Sequence, residues 1–567
     1  MVSKSIFLLV IPLSLSAFTH IWNPIGFPVI HIDEGYYMER AMDLLKGFGP
    51  LHYIKSLGYY DHPYFGQLFL AGALGITGYP VSLNSSDYIH STQMAYFVPR
   101  VLMGILAVID CFLIYKICEC RYNRNVAYMA SIMFAVMPVT WMLRSIWLDN
   151  ILLPLLLSSI LFATYTRDKA DSNPVIKDMN KNLSKKIYSN NKMALVFLSG
   201  VFLGLAIFTK ETAFTMVPLV GFLIFTNNTK RLKTLGIWFI PVILIPLIWP
   251  VSALSIGEFD KWLDVIQHQT HRESKPLVGS IIALFLIDPV LSILAITGIL
   301  LAAIRKDLFL LLWVIPFGIF AYFINFVSLF HFILVIPVFC ISAATLILDL
   351  SNKISAKMIK QGPASSFHKC VPPKWELGHF KINNFQIQNI FILRQNMISF
   401  IIVSTIVIFG LVSTAMLINL NLNSAYFKAV AFITKYLPDK DKTAGNASSI
   451  VTVLSRQSDY SWIPKYVFGK DQHDYQSYSW NKPIKTEKYL LVVDSGFRNI
   501  MSKSDEIGKK LKMIYNNSIS KANFERESDY YNLYKYPYTS INDRQVLNSL
   551  GIASGTNPGR IEIRTNY

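Results

Sequence analysis

Two adjacent carboxylates, Asp33 and Glu34, stand just after the first apolar stretch of the chain, in His31-Ile-Asp-Glu-Gly-Tyr-Tyr37. Charged side chains at a membrane boundary cost free energy unless they are paired or used. A carboxylate held there can take a proton from an acceptor hydroxyl, and nearby cations can stabilise a departing phosphate. Further charges mark the ends of later apolar runs: His62 after Asp61, Arg100, Arg144 and Asp149 around a short turn, Lys210 beside Glu211, and His331. Acids and bases gathered on one membrane face suit transfer from an anionic leaving group. The polar run Gln267-His-Gln-Thr-His-Arg-Glu273 lies between two apolar runs, so it is expected to border the cavity, with His268, His271 and Arg272 as candidates for setting acceptor choice. Plainer readings stand beside these. Arg144 and Asp149 make a reasonable helix-end ion pair, Lys210 a snorkelling anchor, and His331 an interface histidine.

The elements that must hold these residues follow from composition. Of 567 residues, 53% are hydrophobic and 16% charged, against about 25% charged in ordinary soluble chains. That deficit predicts a polytopic α-helical membrane protein. Apolar runs of spanning length fall at roughly 5–22, 96–118, 125–143, 147–165, 193–209, 212–226, 234–253, 279–303, 307–325, 328–349 and 397–420, about eleven in all. The first is read as an uncleaved span rather than a signal peptide. Phe65 to Ile76 is short and Gly-rich, and is expected to lie at the interface. The formal charge of +18 does not point to nucleic acid, because most basic clusters sit between apolar runs. With the N-terminus inside, every dense basic cluster falls on the inner side, which puts the first loop (23–95) and the tail outside. This predicts a multi-pass protein of the plasma membrane. The five cysteines have no zinc-ligand spacing.

A boundary is expected near residue 421. Residues 1–421 form the membrane part. Residues 422–567, rich in Tyr, Asn, Ser and Lys, read as a small extracytoplasmic α/β domain. Strands are expected at Ser449 to Leu454 and Tyr489 to Asp494, and helices at Ser424 to Tyr436 and Glu506 to Ile514.

Over roughly residues 1–345 the chain resembles glycosyltransferases of the C fold, closest to the protein O-mannosyltransferase and aminoarabinose-transferase group. Asp33-Glu34 resembles the acidic motif opening that group's first outer loop. Asp61-His-Pro-Tyr-Phe-Gly66 resembles its His-Pro-Pro-Leu element, with Tyr64 in place of the second Pro. Arg100-Val-Leu-Met-Gly104, Arg144-Ser-Ile-Trp-Leu-Asp149 and Gly204-Leu-Ala-Ile-Phe-Thr-Lys-Glu-Thr-Ala213 resemble its Arg-containing second span, its Arg-x-x-x-x-Asp turn and its Gly-Leu-Ala…Lys element. Phe330-His-Phe-Ile-Leu-Val-Ile-Pro337 resembles its late span, with His331 where Arg or Tyr is commoner.

The resemblance implies a transferase moving a sugar, with inversion, from a polyprenyl-phosphate donor to a hydroxyl of a protein, lipid or glycan. It implies Asp33 as catalytic base, with Glu34 beside it. It further implies Arg100, Arg144 and Lys210 on the donor phosphate, Asp149 orienting Arg144, and His62 and His331 lining the pocket. No cofactor is obligatory in that group. A divalent metal bridged by Asp33 and Glu34 is the alternative, since oligosaccharyltransferases of the same broad fold use one, although their Trp-Trp-Asp-Tyr-Gly motif is absent here. The rival functions are a transporter or lipid flippase, and a receptor whose tail binds a ligand. A transporter favours repeats and midplane charges, whereas the charges here stand at span ends.

Overall fold

The structure is a computed structural model. It describes residues 4–50, 62–79, 82, 88–167, 181–270, 277–324, 327–361, 384–436, 442–443, 489–493, 498, 501–502, 506–525, 527 and 560–565. Among these, six helices are long and apolar enough to cross a membrane, or up to eight if each of two bent pairs counts as one span. Four shorter apolar helices accompany them.

The bundle begins with α1 (Lys4–Ile21), which packs against α4 (Tyr88–Arg121) and α5 (Arg124–Val136). Between α1 and α4 lie α2 (Ile32–Leu45) and α3 (Phe65–Ile76), which pack on each other. α3 has the bounds expected of the interfacial helix. α6 (Leu148–Tyr165) packs on α4 and α7 (Lys181–Thr209), and α7 in turn lies along α9 (Arg231–Ser255). The last contact is close because Gly200 and Gly204 stand one turn apart: a Cβ on either would run into the carbonyl oxygens of Trp238 and Pro241. Small residues at this spacing let backbones approach where lipid supplies no hydrophobic drive between helices.

Two of the expected spans, 125–143 and 279–303, are broken by bends. In 125–143, α5 ends at Val136 and a 3-10 segment, Pro138–Arg144, leaves at 68°. Met137 precedes a proline, which disfavours helical backbone, and it is extended (φ −70°, ψ 138°). In 279–303, α11 (Leu277–Ile287) and α12 (Pro289–Arg305) meet at 119°. Asp288 sits at the bend as the N-cap of α12, its Oδ1 accepting from the Leu291 amide at 2.9 Å. Its Oδ2 accepts from the Val139 amide at 3.4 Å, so the two bends are tied to each other.

After α8 (Val217–Thr226), α10 (Phe259–Thr270), α13 (Leu308–Ile324), α14 (Ile336–Gln361) and α15 (Asn384–Ile418), helix α16 (Ser424–Tyr436) leads into the tail. Four short strands, β1 (Lys442–Thr443), β2 (Tyr489–Val493), β3 (Ile519–Glu525) and β4 (Arg560–Thr565), form one sheet in the order β1-β2-β4-β3. Helix α17 is Glu506–Asn516. The sheet docks on α16 through Phe524 and Phe432, with ring centroids 5.7 Å apart. Glu527 adds polar ties, accepting from Lys428 Nζ at 2.9 Å and Asn421 Nδ2 at 2.6 Å. The expected strand 449–454 lies outside the described residues.

Candidate active site

The acidic motif opens α2. His31 is the N-cap: its Nδ1 accepts from the Asp33 amide at 3.2 Å, and its own amide donates to Glu34 Oε1 at 2.8 Å. Acidic residues in a first helical turn also face the positive end of the helix dipole. The two neighbours then diverge. Glu34 is fully buried. Arg100 grips it with Nε on Oε2 (2.9 Å) and Nη2 on Oε1 (2.8 Å), and Oε2 also accepts from the Ile146 amide at 3.0 Å. Arg100 Nη1 donates to the carbonyls of Pro24 (2.9 Å) and Pro28 (2.8 Å). One bidentate pair thus joins α2, α4, the loop before α2 and the turn before α6. The Asp33 side chain keeps about a third of its surface exposed, and its Oδ2 lies 3.5 Å from His31 Nδ1.

Arg144 ends the 3-10 segment and is also fully buried. It donates to the carbonyls of Thr19 (2.6 Å), Trp22 and Asn23 (2.9 Å). These carbonyls lie in the last turn of α1 and just beyond it, where a cation is favoured. Asp149 does not orient Arg144, contrary to the sequence expectation. Asp149 lies in the first turn of α6, beyond a turn that Asn150 Nδ2 pins to the carbonyls of Met142 (3.1 Å) and Ser145 (2.6 Å). Its Oδ2 accepts instead from Lys210 Nζ at 2.7 Å, both residues being buried. Lys210 Nζ also stands 4.4 Å from the centroid of the Phe330 ring.

Phe330 lies in the 3-10 segment Leu329–Leu334 and is the hinge of the arrangement. Its ring centroid is 5.5 Å from Trp147 and 6.5 Å from His31, and Trp147 stands edge-on to His31 at 6.0 Å. The acidic motif and the Lys210–Asp149 pair therefore meet across one aromatic corner. His62 joins its margin: Nδ1 is 3.4 Å from the Glu211 carboxylate, and the ring is 6.4 Å from Tyr37. His331 lies next to Phe330, with its Nδ1 accepting from the Ser328 amide at 3.0 Å. His268, whose side chain is not described, falls within α10. His271 and Arg272 lie outside the described residues. Sequence reasoning did not single out His31, Trp147 or Phe330 as site residues. The available signal was their place inside motifs already noted for other residues.

The donor set for a bridging metal does not assemble from the acidic pair. Both Glu34 oxygens are committed to Arg100 and backbone amides. Among the described residues no group of three or more His, Cys, Asp or Glu gathers.

Residues 48–252 match the family described as dolichyl-phosphate-mannose-protein mannosyltransferase. The fold is similar to that of ArnT from Cupriavidus metallidurans in the apo state, at TM-score 0.56 and 12% identity, covering 99% of this chain and 97% of that one. The chain is similar in fold to glycosyltransferases of the C fold. The same ArnT bound to undecaprenyl phosphate aligns at TM-score 0.52 and 12% identity, over 99% of this chain and 98% of that one. The archaeal oligosaccharyltransferase AglB from Archaeoglobus fulgidus, in complex with an inhibitory peptide and a dolichol-phosphate, aligns at TM-score 0.50 and 12% identity, over 97% and 77% of the two chains. No curated protein matches the sequence. The helical fold and the resemblance to glycosyltransferases of the C fold, both read from the sequence, agree with these similarities.

Proposed function

We propose that this glycosyltransferase moves a sugar from a polyprenyl-phosphate-linked donor to an acceptor hydroxyl at the outer membrane face, with inversion at the anomeric carbon. The observation that carries this reading is the division of labour between the two acids. Asp33 is reachable, while Glu34 has every strong acceptor direction filled. The acceptor oxygen forms the new bond to the anomeric carbon as its proton passes to Asp33. The bond from that carbon to the phosphate oxygen breaks, and its electron pair leaves with the lipid phosphate. Glu34 and Arg100 hold Asp33 in place and do not share its chemistry, because both are consumed by each other and by backbone groups. Arg144 fixes the end of α1. Lys210, steadied by Asp149 and Phe330, is the cation of this aromatic corner that we assign to the departing phosphate.

The fold neighbours that carry undecaprenyl phosphate or dolichol-phosphate support the donor class. The basic inner loops support an inward N-terminus in the plasma membrane and an outward tail domain. His268, His271 and Arg272 are assigned to the acceptor side on the polarity of their stretch, and the transfer is assigned no metal. The test is incubation of the purified protein with a panel of polyprenyl-phosphate sugars and release of lipid phosphate as the readout. Release with no member of the panel would remove the donor class.

A further inference from the structure

We propose that His31 binds the donor phosphate through Nε2, a role in addition to capping α2. The inference rests on the polyprenyl-phosphate reading above. It starts from what the site's cations are already doing. Arg100 is neutralised by Glu34, and Arg144 is enclosed by three carbonyls. Lys210 is paired with Asp149. Among the described residues of this corner the cations are already engaged, and the imidazole beside Asp33 offers a phosphate a further N–H.

Which nitrogen carries the proton follows from the cap. Nδ1 accepts from the Asp33 amide, so in the neutral ring the proton sits on Nε2, since the bond made by one nitrogen sets the state of the other. Nε2 has no hydrogen-bond partner among the described residues, and the side chain keeps about a quarter of its surface exposed, at 28%. The ring is held edge-on by Trp147 and Phe330, and Phe330 is the ring over which Lys210 stands. An N–H donor on a ring fixed by its neighbours therefore belongs to the same aromatic corner as Asp33 and Lys210. Capping alone does not call for imidazole, because Asn, Asp and Ser are the better N-caps.

Two substitutions separate the roles. His31→Asn keeps an oxygen that can accept from the Asp33 amide, but removes the distal N–H. His31→Gln offers an amide N–H at about the reach of Nε2, but is a poor cap. Thermal unfolding of the full-length protein is followed with and without undecaprenyl phosphate, together with donor KM and kcat. The expected result is that His31→Asn melts like wild type, loses most of the shift given by undecaprenyl phosphate, and raises donor KM about tenfold or more, the scale of one charge-assisted hydrogen bond. His31→Gln is expected to melt lower yet keep its ligand shift and KM near wild type. The opposite pattern, with His31→Asn normal in shift and KM, overturns the proposal and leaves His31 as a cap. No shift in the wild-type protein would instead count against the donor class itself.

Discussion

Lys210 and Asp149 form a buried ion pair, Nζ to Oδ2 at 2.7 Å, that joins the end of α7 to the first turn of α6. Removing one member of such a pair strands a charge and costs about 3–5 kcal/mol, whereas replacing both by apolar residues is often neutral. Asp149→Leu and Lys210→Met should each lower the melting temperature sharply, and the double variant should recover much of the loss. Turnover should not return with it, because the cation on the leaving side is gone. A double variant that is both stable and active would reduce the pair to a structural tie.

The two acids of the motif should fail differently. Asp33→Asn should leave folding and donor affinity intact while turnover falls by about 10²–10⁴, the usual loss for a general base. Glu34→Gln should strike stability first, since it leaves Arg100 buried without its counter-charge. Melting curves read beside single-turnover rates separate the two. Asp33→Asn turnover within about threefold of wild type, well short of that range, would sink the mechanism.

Chelation offers a cheaper check. With both Glu34 oxygens committed to protein groups, treatment with EDTA followed by desalting should leave the rate unchanged. A rate that collapses and returns with added Mg²⁺ or Mn²⁺ would assign a metal to other residues.

The tail's attachment should weaken in acid. The hydrogen bond from Lys428, with help from its charge and from Asn421, holds the Glu527 carboxyl below its ordinary value. A carboxyl depressed in the folded state contributes stability above its unfolded value of 4.5, and that contribution is lost as pH falls through the folded value. Limited proteolysis of the tail should therefore speed up below about pH 4, near the ordinary Glu value. Glu527→Gln should cut faster at neutral pH and lose most of that acid dependence.

Much of this site could be read from residue types and their order. Asp33, Lys210 and the short helix Phe65–Ile76 are marked by charge at span ends and by a short Gly-rich run. The partnerships were not legible. Nothing local distinguishes Asp33 from Glu34, and only the fold places Arg100, 66 residues away, against the second acid. Arg144 and Asp149 looked like partners by spacing. The carbonyls at the end of α1 claimed one and Lys210 the other, both through long-range contacts. The bends at Met137 and Asp288 were written in Pro138 and Pro289, but hydropathy averages across a single proline.

The internal pairing of charge has a consequence for product release. On the proposed reaction, a phosphodiester with one negative charge enters and a phosphomonoester leaves carrying about −1.5 to −2 at neutral pH, as such groups do. A cluster of unpaired arginines would hold the leaving lipid more tightly than the arriving one and stall after each round. Arg100 with Glu34 and Lys210 with Asp149 instead cancel in place, and Arg144 is turned toward backbone. The described corner thus offers dipoles and a shared cation rather than surplus charge, which favours a spent carrier slipping back into the bilayer.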